Sequence, residues 1–214
     1  MKTITRPAGI AAALILGCAA LATPQELPLS FQAFAIDRTQ IGAGASAGSL
    51  DITIQRWTTE EERAKLRDTL TEKGSEALLD ALEDAKKAGY IRATGGGLGW
   101  NIQYARKEPL PEGGYRVVFA TDRPMSFYER RAQPRSADYE FMVAELRIGK
   151  DGKGEGKLVP AAKVTFNKGE NTIEIENYAN EPVELTSVRE LRSKGKASED
   201  TRDKDKATTQ DDAP

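Results

Sequence analysis

The chain has 214 residues, a formal net charge of −2, a single cysteine and no histidine. That slightly acidic balance gives no electrostatic footprint for nucleic acid, whose readers are clearly basic. The missing histidines remove the commonest general base near neutral pH and, with one cysteine, the usual zinc ligand sets. Catalysis would have to rest on carboxylates, Ser/Thr, Lys or Tyr, and no cofactor or metal is implied.

In chain order, the first segment reads as an export signal. Lys2 and Arg6 precede an uncharged run over residues 8–22 that ends in Ala20-Leu21-Ala22, a small-residue site placing cleavage before Thr23. The run is shorter than the ~20 residues needed to cross a bilayer, so no transmembrane span is expected. Ile15-Leu16-Gly17-Cys18 resembles the lipobox of bacterial lipoproteins, in which the cysteine becomes a lipidated N-terminus. Leu16, where that pattern usually has a smaller or β-branched residue, favours simple cleavage, with lipidation at Cys18 as the alternative. The expected location is periplasmic or extracellular, free or lipid-anchored.

Residues 23–191 are read as one globular domain, long enough to bury about 70% of its unfolded surface without covalent staples. Residues 192–214 contain no Val, Ile, Leu, Met or aromatic residue. A stretch that cannot bury apolar surface cannot offset its ordering entropy, so a disordered charged tail is expected there.

Within the domain, Phe31, Ala33 and Ala35 alternate in a short strand near 29–36, and the glycine- and alanine-rich 42–49 reads as a flexible loop. Leu50, Ile52 and Ile54 alternate with polar residues in a half-buried strand closed by Trp57. A helical pair follows. Thr58 or Thr59 caps the first helix, with Glu61 and Glu62 at capping-box spacing and in the favourable first turn. Leu66 and Leu70 share its apolar face and Gly74 ends it. Ser75 opens the second helix, whose stripe is Leu78, Leu82 and Ala85, and Lys86-Lys87 precede Gly89. Both stripes are narrow, as for helices that lay one face on a sheet.

The rest reads as β. Leu98, Trp100, Ile102 and Tyr104 alternate, residues 109–114 turn, and 115–121 return. The unbroken apolar run Val117-Val118-Phe119-Ala120 predicts a strand buried on both faces. Further strands are expected over 139–148 and 157–166, separated by a glycine-rich turn over 149–156. Ile173 and Ile175 follow, with Glu174 and Glu176 outward, and a last strand covers 183–188. The fold class expected is α+β: a mainly antiparallel β meander, sandwich or partial barrel, with the helical pair inserted after the first full strand.

Apparent motifs fail on spacing. The glycines from Asp151 to Gly156 begin like a calcium loop, but Lys153 and Ala162 stand where acids are required. Gly95 to Gly99 precede a strand instead of opening a helix, against dinucleotide binding. The richest polar chemistry lies in 121–135, where Arg123, Arg130, Arg131 and Arg135 are interleaved with Phe127 and Tyr128. Guanidinium forks hold carboxylates or phosphates, and aromatics beside them stack on rings. With the sheet face around Trp100 and Tyr104, this makes Trp100, Tyr104, Arg123, Tyr128 and Arg130 the candidate binding residues. No residue is assigned a catalytic role, although Asp122, Glu129, Asp138 and Glu140 are close enough in sequence to be weighed as a carboxylate pair.

The pieces WTTEEER (57–63), GLGW (97–100), ATDRP (120–124), DGKGEG (151–156) and IEIENY (173–178) together resemble an uncharacterised family of exported bacterial proteins over about residues 50–190. The resemblance implies the domain limits; no activity is attached to it and it carries over no functional residue. The function expected is therefore an exported, non-catalytic envelope or extracellular protein that binds a ligand or partner. A carboxylate-dependent hydrolase of polysaccharide or cell-wall material is the alternative, and a purely structural protein the third reading.

Overall fold

The computed structural model describes residues 27–38, 46–95, 99–124, 139–178 and 181–191. The leader with Cys18, the segment holding Tyr128 and Arg130, and the charged C-terminal stretch lie outside the described residues. The elements in order are β1 (Leu29–Asp37), β2 (Ser46–Ile54), α1 (Glu60–Lys73), α2 (Ser75–Glu83), β3 (Gly89–Ala93), β4 (Trp100–Ile102), β5 (Tyr104–Pro109), β6 (Tyr115–Thr121), β7 (Phe141–Ile148), β8 (Lys153–Asn167), β9 (Thr172–Asn177) and β10 (Val183–Leu191). The pairings among them are antiparallel. Nine strands run β4-β3-β2-β1-β10-β8-β7-β6-β5 around a nearly closed barrel, and β9 hangs on β8. The helical pair follows β2, as its capping and stripe signals predict.

The two ends of that path are neighbours in sequence. β4 pairs with β3, Gln103 intervenes, and β5 pairs with β6, so one bent stretch carries the ladder from one sheet edge to the other. The Gln103 N–H donates to the Ala120 carbonyl at 2.9 Å, where the direction changes. The chain leaving β2 seals the seam. The Gln55 and Arg56 N–H groups donate to the Ala88 carbonyl at 2.7 and 3.1 Å, and the Ala88 N–H donates to Ile102 at 2.7 Å. Thr58 then takes a two-way grip on Ala105: its N–H donates to the Ala105 carbonyl at 2.8 Å, and its hydroxyl accepts the Ala105 N–H at 2.9 Å. Closure in this way leaves little exposed edge on the barrel itself.

Period-2 alternation fills the interior. Phe31, Ile52, Ile54, Ile91, Ile102, Phe119, Leu146 and Ile148 are fully buried in one cluster. The barrel is packed with side chains instead of enclosing a cavity, as small barrels are. Two irregularities set where the strands diverge. In β10, Ser187 has φ +51° and the register slips between Leu185 and Val188, so these residues both point inward despite being three apart. In β8, Pro160 stands where pairing with β10 has ended and pairing with β9 has not begun. A proline donates no ladder hydrogen bond and is at home at such a break. Beyond it, β8 leaves the wall and forms a hairpin with β9.

Three sequence expectations change. The loop read over 42–49 is shorter, because β2 already begins at Ser46. The glycine-rich turn read over 149–156 ends by Gly152: Gly154 and Gly156 lie inside β8. A Cβ on Gly154 would run into the Arg147 carbonyl of β7, so this glycine permits close strand approach and does not form a turn. The strand β3, Gly89–Ala93, carries only the short alternation Tyr90-Ile91-Arg92 and was not separable from the helix end before it.

Candidate functional site: an apolar groove between the helices and the barrel

A helical pair needs a reason to lie on a barrel, and the outer face of β6 to β8 supplies it. Val118 and Ala120 on β6 and Val143 on β7 point outward, where a solvated face would be polar. α1 is fixed at its start by a complete capping box. The Thr59 side chain accepts the Glu62 N–H at 3.2 Å, and the Glu62 carboxylate accepts the Thr59 N–H at 2.9 Å. Gly74, with φ +92°, ends α1 and opens α2 without a longer connection. Leu70, Leu78 and Leu82 are thereby buried against Phe141, Ala162 and Val164 in a second cluster outside the barrel.

The helices do not cover all of that face. Between them, the barrel and the β8–β9 hairpin runs a groove of about 290 Å³. Its helical wall is Leu66, Leu70, Leu78 and Leu82, its floor includes Val118, Phe141 and Val143, and Ile173 and Ile175 of β9 form the far edge. Three arginines, Arg63 and Arg67 on α1 and Arg106 on β5, line it as well, and no carboxylate does. Arg63 pairs with Glu60, Arg67 with Asp68 at 3.1 Å, and Arg106 with Glu108 at 2.9 Å. Such partly exposed pairs are worth about 0–1 kcal/mol each and exchange readily for another anion. Tyr104 stands beside them; burial raises its phenol above the usual value, against the pull of Arg106 and Arg63.

The described candidates from sequence, Trp100, Tyr104 and Arg123, do not form one surface. Trp100 points into the barrel core, whereas Tyr104 packs with the outer cluster. The alternation from Trp100 to Tyr104 suggests a shared face, but the bend at Gln103 shifts the phase: Ile102, Gln103 and Ala105 are all buried and Tyr104 turns outward. Arg123 stays at the barrel end near Trp100, its guanidinium donating to the Gly99 carbonyl at 3.2 Å. Asp122 accepts from the Gln103 amide at 3.2 Å. Tyr128 and Arg130, with Glu129 and Asp138, lie outside the described residues. Arg63, Arg67 and Arg106 were missed as site residues. The available signal was their spacing, since Arg63, Leu66, Arg67 and Leu70 follow the i, i+3, i+4, i+7 pattern of a single helix face.

A second cleft of about 550 Å³ shares Arg106 with the groove and is lined besides by Trp57, Glu60, Lys107, Pro109 and Tyr115. Lys107 faces inward opposite Val117 and lies 3.9 Å from the Tyr115 ring centre, and the Tyr115 hydroxyl donates to Glu190 at 2.5 Å. Burial depresses the Lys107 ammonium, partly offset by Glu190. This trio closes the barrel end with satisfied polar groups.

No family model, curated protein or solved structure matches this chain. The site therefore rests on its own geometry. Among the described residues no group of three or more Asp, Glu, His or Cys side chains is placed to hold a metal ion. No described helix is long and apolar enough to cross a membrane.

Proposed function

We propose that this chain is an exported, non-catalytic protein that binds a small amphipathic anion, an acyl chain bearing a carboxylate or phosphate head, in the groove between the helical pair and the barrel. The observation that carries this reading is the lining itself: apolar walls with three arginines and no acid. Its volume sits near the lower end of the ~300–1,000 Å³ common for small-molecule sites. Apolar burial would supply affinity, and guanidinium forks, which hold carboxylates and phosphates bidentately, would fix the head group at the rim.

Three carboxylates at the start of α1 and on β5 are held in the ionised form. Glu60 is held below its usual range by its hydrogen bond to Arg63, Glu62 by the Thr59 backbone N–H, and Glu108 by Arg116. None of these three is therefore suited to act as a general acid, which needs the opposite shift.

The test is calorimetric titration of the purified protein with decanoate and with decanol. Decanoate should bind, decanol should bind more weakly, and Arg63→Gln combined with Arg106→Gln should cost decanoate at least tenfold while leaving decanol unchanged. Equal affinity for the neutral and charged probes, or no decanoate binding at millimolar concentration by folded protein, would overturn the reading.

A further inference from the structure

Beyond the groove, the strand that forms its far edge carries a separate feature. β9 pairs through six residues with β8 in an unbroken register, from Ala162–Asn177 to Asn167–Thr172. Among the described residues its other side pairs with no strand. Natural edge strands are usually blunted by lysine, proline, a bulge or shortness. β9 reads Thr-Ile-Glu-Ile-Glu-Asn: it carries two charges, Glu174 and Glu176, but no proline or bulge, and is exposed along nearly its whole length. Ile173 and Ile175 are each 51% exposed, although they continue the apolar rows begun by Phe166 and Val164 on β8.

The hairpin is also held in shape. The Asn167 side-chain oxygen accepts the Gly169 and Glu170 N–H groups at 3.0 and 3.2 Å, its amide donates to Glu174 at 2.8 Å, and Asn171 takes φ +54° in the turn. On the face opposite the isoleucines, Glu176 accepts the Tyr139 hydroxyl at 2.6 Å, and the Tyr139 and Tyr178 rings meet edge to face at 5.3 Å. The edge is thus presented preformed, which lowers the ordering cost of adding a strand.

We infer that β9 is a docking edge for an extended segment of a partner protein, in which β-branched apolar residues alternate with lysine or arginine. Strand addition would satisfy the outward-facing backbone groups of Ile173 and Ile175, the usual source of affinity in this mode. Apolar side chains would extend the Ile173 and Ile175 rows, and basic ones would stand across from Glu174, which faces Thr165 on β8, and on the free side of Glu176, which already faces Lys163. A second copy fits poorly: the antiparallel register that sets Ile173 against Ile175 also sets Glu174 against Glu174. The stretch 192–214 has no large apolar side chain with which to cover the isoleucines.

The experiment titrates the full chain with a capped seven-residue peptide of alternating valine and lysine, followed by NMR of β9 amides and by calorimetry. Two control peptides accompany it, one with glutamate for lysine and one N-methylated at alternate residues. Strand addition predicts that the Val–Lys peptide binds, that N-methylation weakens it at least tenfold, and that Glu174→Lys with Glu176→Lys reverses the preference towards the Val–Glu peptide. Unchanged binding after N-methylation would reduce the effect to charge attraction and overturn the proposal, as would no binding at 1 mM. Self-association that the peptide displaces would assign the edge to a second copy. Binding only after residues 125–138 are replaced by a Gly-Ser linker would assign it to the chain itself. Either result also overturns the proposal. Because N-methylation leaves the groove untouched, these outcomes are independent of decanoate binding.

Discussion

Replacing Thr58 by valine tests how the barrel is closed. Valine keeps the β-branched shape of threonine and the Thr58 N–H that donates to Ala105 at 2.8 Å. Only the hydroxyl that accepts the Ala105 N–H at 2.9 Å is lost. Ala105 is fully buried on the closing strand, so its N–H is left without a partner, a cost of about 1–3 kcal/mol. Thr58 itself is partly exposed; water reaching the vacated position would bring the cost towards the lower end of that span. With a urea slope of about 2 kcal/mol/M, typical for a domain of this size, the midpoint should fall by roughly 0.5–1.5 M at unchanged slope. Thr58→Ser, which retains the acceptor, should stay within about 0.5 kcal/mol of the parent. Amide exchange at Ala105 should accelerate in the valine variant and not in the serine one. A valine variant with the parent's midpoint and a protected Ala105 amide would show that the seam does not depend on this side chain.

Two further outcomes follow from the same structure. Gly154→Ala places a methyl against the Arg147 carbonyl in the middle of the wall; overpacking of this kind costs about 1–3 kcal/mol or more, so the variant should melt well below the parent in a calorimetric scan, and an unchanged melting temperature would contradict the close β7–β8 approach. Acidification should destabilise the protein through Glu108 and Glu62, held below their usual range by Arg116 and by the Thr59 N–H respectively. A lowered folded-state pKa means that the unfolded chain binds more protons in the window, so the contribution is complete above about pH 4.3, the unfolded glutamate value, and is lost as pH falls from there through the folded values. Glu108→Gln should flatten the pH 3–6 stability profile while costing at most about 1 kcal/mol at pH 7, since its ion pairs are partly exposed; an unaltered slope would refute its part.

Most of the fold was legible because its signals are local. The capping box at Thr59 and Glu62, the glycine stop at Gly74 and the leucine stripes define both helices without tertiary help. The run Val117-Val118-Phe119-Ala120 signals an apolar outer face, although Val118 and Ala120 are only partly buried there because they line the groove. Barrel closure was not legible, because it depends on Gln103, whose donation to Ala120 turns one strand from β3 to β6. No residue type announces such a bend, and a period-2 reading carried across it assigns Tyr104 to the wrong face. The candidate groove was not legible for a related reason. Arg63 and Arg67 are close in sequence, but Arg106, Val118, Phe141 and Ile175 reach the groove from four different strands. Of the arginines in 121–135, only Arg123 lies among the described residues, and it stays at the barrel end with the Gly99 carbonyl.

The site's position on the outside of the barrel follows from a mismatch of widths. The interior is filled by Phe31, Phe119, Ile52, Ile91 and their neighbours, all fully buried. The outer face of β6 to β8 is apolar across more than one strand, and the hairpin lengthens it with Val164, Phe166, Ile173 and Ile175. Against this breadth α1 contributes one fully buried leucine, Leu70, and α2 two, Leu78 and Leu82. Two short helices with narrow stripes can shield only part of such a surface. A protein under selection for stability alone gains by placing polar residues on the uncovered remainder, as at Arg116 and Glu145 further along the same wall. Here the remainder stays apolar and is edged with arginine, at some cost in exposed hydrophobic area. That departure from what stability requires, confined to one strip of the surface, is what supports the proposal of a ligand in the groove.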